Sequence, residues 1–271
     1  MGAQNPSVLV TGASSGIGAA AARLLRERGF EVFGTSRRPE QLGAGLPDIR
    51  WVPMDICDED SVREGVAQVL SAVPRLDALV CNAGFGIFGS VEEVSVAAAK
   101  EQFETNFFGT LRTLRAAIPH LREARRGRIA IVGSIAGRAP IPFQVHYSAT
   151  KAAVESLAFG LQSELHPLGV QVILIEPGDI DTPFNDRMDW GEFERSPYAE
   201  RIRSCERVIR ESLPKAPGPE VVVRAVERAL DSKKPRARYA VGNEALLVGI
   251  AKRLLPDSLA TRVIASHFGL A

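Results

Sequence analysis

Tyr147 and Lys151 stand four residues apart in the stretch SIAGRAPIPFQVHYSATK, which runs from Ser134 to Lys151. On a helix that spacing puts both side chains on one face, one turn apart. A phenol is a poor acid near neutrality, with an ordinary pKa of about 10. An ammonium held beside it favours the phenolate and lowers that value. The pair therefore predicts a proton donor for carbonyl reduction, or an acceptor for alcohol oxidation. Ser134, at the end of an apolar run, is a candidate to hold the same substrate oxygen. A tyrosine and a lysine at this spacing also arise on any solvated helix face, so their meaning depends on what surrounds them.

Such chemistry needs a redox cofactor, and the N-terminal region offers a place for one. The run Ser7 to Val10 predicts a strand, and TGASSGIG follows at once. A helix is expected from about Ala19 to Arg28, because Ile17, Ala20, Ala21, Leu24 and Leu25 recur at helical spacing. Strand, glycine-rich turn and helix in that order form a dinucleotide-phosphate setting. Gly12 permits the tight turn, Gly16 lets the backbone approach a pyrophosphate, and Gly18 lets the helix pack close to the strand. Ser14, Ser15 and Ile17 complete the candidate loop, whose helix N-terminus presents free N–H groups. The spacing is Gly-x-x-x-Gly-x-Gly, not the commoner Gly-x-Gly-x-x-Gly.

A second strand, Glu31 to Ser36, ends in TSRRP. An NAD(H) site wants an acidic residue at this tip for the ribose hydroxyls. Here Arg37 and Arg38 follow Ser36, and a guanidinium suits a 2′-phosphate. NADP(H) is therefore expected over NAD(H), with Arg37 the better candidate. A third strand, Ile49 to Asp55, leaves Asp55 and Ile56 as candidate adenine contacts, while Asp58 is expected to cap a helix from Asp58 to Val73. A fourth strand, Leu76 to Cys81, runs into Asn82-Ala83-Gly84, a small-residue turn that would let backbone lie against the cofactor's central ribose.

A long helical region, about Val96 to Leu121, contains Asn106 between apolar residues. A buried asparagine needs partners; it either binds a water beside Lys151 in a proton path, or distorts or caps the helix. A fifth strand, Gly127 to Ile135, carries Ser134, and the Tyr147 helix is expected to reach about His166. A sixth strand, Gly169 to Glu176, ends at Pro177 and Gly178, with Ile180 and Thr182 as candidate nicotinamide contacts. Strands alternating with helices predict an α/β fold with a doubly wound parallel sheet. Nearly every candidate lies at the C-terminal end of a strand, where such sheets bind ligands.

Composition narrows the alternatives. At 271 residues with 45% hydrophobic content, the chain suits one large domain. A net charge of +1, with Lys and Arg dispersed, implies no bulk attraction to nucleic acid. Cys57, Cys81 and Cys205 are too few for a disulfide framework. The four histidines, 120, 146, 166 and 267, show no metal-ligand spacing. No apolar run reaches the roughly 18 residues that span a bilayer. The N-terminus reads neither as a signal peptide nor, with Pro6 where Ser or Thr is wanted, as a myristoylation site. A cytoplasmic protein without an integral membrane segment is expected.

Together TGASSGIG, the NAG turn, Asn106, Ser134, YSATK and the PGDIDT stretch resemble the short-chain dehydrogenase/reductase family, from about Ser7 to Thr182 and more weakly to Gly242. The resemblance implies a seven-stranded Rossmann-type sheet, with RYAVG (Arg238 to Gly242) as the seventh strand. It implies Tyr147 as catalytic acid/base, Lys151 as its pKa-lowering partner and nicotinamide-ribose ligand, Ser134 as orienter of the substrate oxygen, and Asn106 as holder of a relay water. It also implies a homodimer or homotetramer through the helices holding Asn106 and Tyr147. Phe85 after NAG is a small departure from the family's pattern.

Residues 183–219 break the strand–helix alternation and predict a substrate lid with one helix, about Pro197 to Ser212. Phe184, Met188, Trp190 and Phe193 either line an apolar pocket or anchor the loop. Gly86 to Phe88 and Ala139 to Val145 are expected to form the opposite wall. Residues 243–271 predict a helical extension, an apolar helix and then an amphipathic one after Pro256. Its layout resembles the hydroxysteroid and retinol dehydrogenase branch; it packs on its own domain, docks on a partner, or lies on a membrane surface. The reading that follows is an NADP(H)-dependent oxidoreductase for a hydrophobic ketone, aldehyde or alcohol. The alternative is a non-catalytic NADP-sensing regulator or scaffold on the same fold.

Overall fold

The computed structural model describes residues 5–42, 48–242, 245, 248 and 254–270. Strands β1 (Ser7–Val10), β2 (Glu31–Ser36), β3 (Arg50–Pro53), β4 (Ala78–Cys81), β5 (Gly127–Val132), β6 (Val170–Pro177) and β7 (Arg238–Val241) form one sheet in the order β3-β2-β1-β4-β5-β6-β7. Every pairing is parallel. The expected α/β architecture is present, and the order reverses between β1 and β4, which opens a crevice beyond their C-terminal ends.

The strands are apolar along their length because both faces are covered. SVLV and ALVC are buried at every position. Their side chains divide by alternation. Leu9, Leu79, Ile129, Ile131 and Leu174 enter one core with α2 (Glu59–Ala72), α4 (Thr110–Glu123) and α5 (Val145–Leu165). Val8, Val10, Ala130, Ile173 and Ile175 enter the other, with α1 (Gly16–Glu27) and α7 (Glu220–Asp231). Asp58 caps α2 as expected, its carboxylate accepting from the Ser61 N–H at 2.7 Å.

Several expected elements differ: β4 starts at Ala78 and not Leu76, and β5 ends at Val132, which leaves Ser134 in the loop after it. The helix over 96–121 is three pieces: α3 (Val96–Phe103), a π-helical turn (Glu104–Gly109) and α4. The π turn shifts the carbonyl ladder, and the Thr110 and Thr113 hydroxyls donate back to the carbonyls of Asn106 and Gly109, both at 2.9 Å. The expected strand Ile49 to Asp55 shortens to β3 because residues after Pro53 turn into the α2 cap.

A third apolar cluster lies outside the sheet. It joins Phe88, Met188, Phe268 and residues of α6 (Ala199–Ser212). The last helix, α8 (Asp257–His267), leads Phe268 into this cluster, and the Ser204 hydroxyl donates to the Phe268 carbonyl at 3.1 Å. The second helix of the extension therefore packs on its own chain. Residues 1–4 lie outside the described residues, as does the first helix expected in the extension except for Ala245, Val248, Leu254 and Leu255. No helix among the described residues is long and apolar enough to cross a membrane.

Candidate active site

Thr11 joins the two loops of the crevice. Its hydroxyl accepts from the N–H groups of Asn82 at 2.9 Å and Ala83 at 3.2 Å. The Asn82 amide donates in return to the carbonyls of Thr11 and Gly12, at 3.1 and 3.3 Å. Gly12 has φ +63° and lies so near Ala83 that a Cβ would stand 2.9 Å from its Cα. A Cβ on Gly18 would collide with the Gly12 carbonyl. Gly16, with φ +53°, faces Thr182. Ser15 starts α1 without a side-chain cap. The glycines thus build a backbone-walled cradle against an uncapped helix N-terminus, which fits a nucleotide diphosphate.

Asn82, Ala83 and Gly84 continue to Phe85, whose backbone is clamped from both sides. Its N–H donates to Asn106 Oδ1, and its carbonyl accepts from Asn106 Nδ2, both at 3.0 Å. Gln102 Nε2 adds a third bond at 3.1 Å. Only the main chain of Phe85 is used, so its side-chain departure from the family pattern leaves the clamp intact. Asn106 Nδ2 also donates to Thr150 Oγ1 at 3.0 Å, which binds the π turn to α5. Both amide hydrogens are committed, and Oδ1 keeps one lone pair.

Ser134 ends the loop after β5. Its oxygen accepts from the Ala136 N–H at 3.1 Å, and its hydroxyl lies near the Tyr147 phenol. Lys151 is buried and donates from Nζ to the Val132 carbonyl at 3.0 Å. Nζ lies 5.7 Å from the centre of the Tyr147 ring. Gly84 leaves the opening, since a Cβ there would stand 3.0 Å from Asn106 Oδ1 and 3.9 Å from Lys151 Nζ. Asn106, Ser134, Tyr147 and Lys151 are thus gathered beside the glycine cradle.

The expected acidification of the phenol is not present in this arrangement. Burial pushes Tyr147 up to about 12; the Ser134 hydroxyl opposes this and the Asp179 carboxylate adds to it. Burial pulls Lys151 down to about 8. The Val132 carbonyl takes one of the three ammonium hydrogens, and burial is the largest influence on the phenol. At neutral pH the tyrosine carries its proton and the lysine most of its charge.

The remaining candidates frame this centre. Arg37 and Arg38 are exposed at the tip of β2, without an acidic partner among the described residues. Asp55 accepts from the Cys57 N–H at 3.0 Å, and Ile56 is in the core, leaving it backbone groups for any ligand. Pro177 ends β6, Gly178 donates to the Val241 carbonyl at 2.9 Å, and Ile180 is buried. Ser14 is exposed on the cradle's rim. His146 is half-buried and its Nε2 meets no polar partner.

The lid residues separate into two sets. Met188, Trp190 and Phe193 pack with Phe88 and α6 and anchor the loop. Trp190 lies 4.9 Å and Phe193 5.8 Å from Phe88, ring centre to ring centre. Phe184 alone turns inward, 5.6 Å from the Tyr147 ring. Main-chain bonds seal the lid to the opposite wall: Phe88 N–H to the Asp189 carbonyl at 2.7 Å, and Asp189 N–H to the Gly86 carbonyl at 3.2 Å. A cavity of about 390 Å³ lined by Pro6, Asp77, Arg128 and Gln171 lies at the N-terminal ends of the strands, away from all of these.

Sequence reasoning missed Thr11, Thr150, Asp179 and Glu176. The completely buried Glu176 carboxylate takes Arg238 at 2.6 Å and Arg138 at 3.4 Å, tying β6 and β7 to the loop after Ser134. Acidic and basic residues that pair across 38 and 62 positions leave no local pattern to read.

Residues 6–191 match the family described as short chain dehydrogenase. A 3-ketodihydrosphingosine reductase of Bacteroides thetaiotaomicron is 36% identical over 255 residues, covering 93% of this chain and 94% of that protein. A short-chain dehydrogenase from Streptomyces avermitilis superposes with a TM-score of 0.82 at 32% identity, covering 99% of this chain and 97% of that one. A short chain dehydrogenase from Burkholderia cenocepacia, in complex with NADP, gives a TM-score of 0.77 at 28% identity, over 96% and 97% of the two chains.

Proposed function

This chain belongs to the short chain dehydrogenase family, and from that premise we propose that it is an NADP(H)-dependent oxidoreductase that interconverts a bulky apolar ketone and its alcohol. The observation that carries the reading is the gathering of Tyr147, Lys151 and Asn106 beside the glycine cradle, with Lys151 Nζ 5.7 Å from the Tyr147 ring and the opening at Gly84 between Asn106 and Lys151. The Burkholderia cenocepacia relative in complex with NADP supports the choice of cofactor, as do Arg37 and Arg38, which suit a 2′-phosphate. The sphingosine-reductase relative and the inward Phe184 support an apolar substrate.

When bound, NADPH supplies the hydride that adds to the carbonyl carbon. Tyr147, protonated at neutral pH, donates a hydrogen bond to the substrate oxygen and gives up its proton as charge develops there. Ser134 donates to the same oxygen and fixes its place. Lys151 holds positive charge near the phenol, and the free lone pair of Asn106 Oδ1 is assigned to the relay water. Val96, Phe108 and Val145, exposed along the helices that hold Asn106 and Tyr147, support self-association of the chain through that face.

The test follows NADPH absorbance with a panel of long-chain, steroid and aryl ketones. Tyr147→Phe is expected to lower turnover about 10³-fold while NADPH binding stays within twofold of wild type. Full turnover in that variant would remove Tyr147 from the chemistry. NADPH binding without turnover on any ketone would favour the sensor alternative.

A further inference from the structure

Two lid side chains reach the crevice from the short segment between Pro183 and Asp189. Phe184 lies over Tyr147, on the substrate side. Arg187 crosses to the cradle, where its Nη1 donates to Ser15 Oγ at 2.7 Å. The segment between them is stiff at both ends. The Arg187 N–H donates to the Pro183 carbonyl at 3.2 Å, Met188 is buried, and Asp189 is paired with Gly86 and Phe88.

Ser15 is a poor terminus for a guanidinium. It is a neutral acceptor that satisfies one of five donors, and Arg187 meets no carboxylate among the described residues. The same serine begins α1 with no side-chain cap, next to Gly16 and Thr182. A lid cation has thus been brought to the place where the uncapped helix and the glycine turn favour an anion. A phosphate oxygen is a stronger partner for it than a hydroxyl.

We propose that Arg187 is a ligand for the diphosphate of the cofactor, carried by the lid, so that cofactor binding fastens the segment that sets Phe184 over Tyr147. The inference rests on the dinucleotide reading of the cradle. It assigns the cofactor two separate cationic contacts. Arg37 recognises the 2′-phosphate, which NADH lacks. Arg187 recognises the diphosphate, which NADPH and NADH share.

Fluorescence titrations with NADPH and with NADH, on wild type, Arg187→Ala, Arg187→Lys and Arg37→Ala, separate these roles. Arg187→Ala is expected to weaken both cofactors by the same factor, about tenfold, the size of one lost charged contact. Arg187→Lys is expected to recover part of the loss, and Arg37→Ala to weaken NADPH alone. In a Trp51→Phe background only Trp190 emits; NADP⁺ is expected to shield it from acrylamide, and Arg187→Ala to remove that shielding. Arg187→Ala binding both cofactors like wild type would overturn the inference and leave the proposed function standing. A loss confined to NADPH would reassign Arg187 to the 2′-phosphate. Wild type binding neither cofactor would overturn both.

Discussion

The cradle side and the lid side of the crevice are held by different physics. Around Gly12, Gly18 and Asn82 the contacts are hydrogen bonds to main chain and backbone against backbone, with no room for a single added methyl. Around Phe88, Met188 and Trp190 they are faces of large side chains, supported by Phe268 from the far end of the chain. The first kind of contact fixes positions to a fraction of an ångström and tolerates no substitution. The second depends on filled volume, and volume-conserving swaps leave it standing. A cofactor common to many enzymes suits the first arrangement, and a substrate that differs between relatives suits the second.

The largest expected effect that tests this contrast comes from one methyl on the cradle side. Gly18→Ala drives a Cβ into the Gly12 carbonyl and should cost about 3 kcal/mol in urea unfolding, with loss of NADPH binding. A folded variant with wild-type affinity would break the claim that backbone contact sets this region. On the lid side, Phe184→Ala should raise the KM for a bulky ketone about tenfold, equivalent to ~1.4 kcal/mol of lost apolar contact. NADPH affinity should stay within twofold. Equal loss of cofactor and ketone affinity would merge the two regions into one.

The smallest effect lies at their meeting point. Burial pulls Lys151 down to about 8 in the fold, below its ordinary value of 10.5. Below pH 8 the fold carries a buried ammonium. Between 8 and 10.5 the unfolded chain binds the extra proton, so stability rises with pH. Tyr147, raised from 10.0 to about 12, acts in the other sense; its contribution is complete below pH 10 and is lost toward pH 12. Any stability deficit of wild type relative to Lys151→Met should therefore narrow by about 1 kcal/mol between pH 7.5 and 9, read from urea midpoints. A gap that does not change with pH would remove burial of the charge as its cause.

What was legible in the sequence follows the same division. The seven strands, the glycine turn and the Tyr147–Lys151 pair are local patterns, and the structure has them at or near their expected bounds. Asn106 was singled out for the right reason, a polar group in an apolar setting, but its partners Phe85 and Thr150 lie 21 and 44 positions away. Thr11 reads as an ordinary turn residue until Asn82 is brought beside it. Of four lid residues left open between pocket and anchor, three are anchors, because composition shows that a side chain is apolar but not which way a loop turns it. The phenol was expected to be acidified by its neighbour; spacing placed the ammonium on the correct face, yet could not reveal how far burial would weigh against the phenolate.

The wide turn at Glu104–Gly109 makes the length of this rod a functional variable. A π turn holds one residue more than the α-helical path would. Deleting a single residue there would leave an ordinary straight helix, comfortable by every local measure. It would also rotate everything on one side by about 100°, swinging the asparagine off the Phe85 main chain. The chain keeps a locally less favourable winding because the favourable one points its amide at nothing.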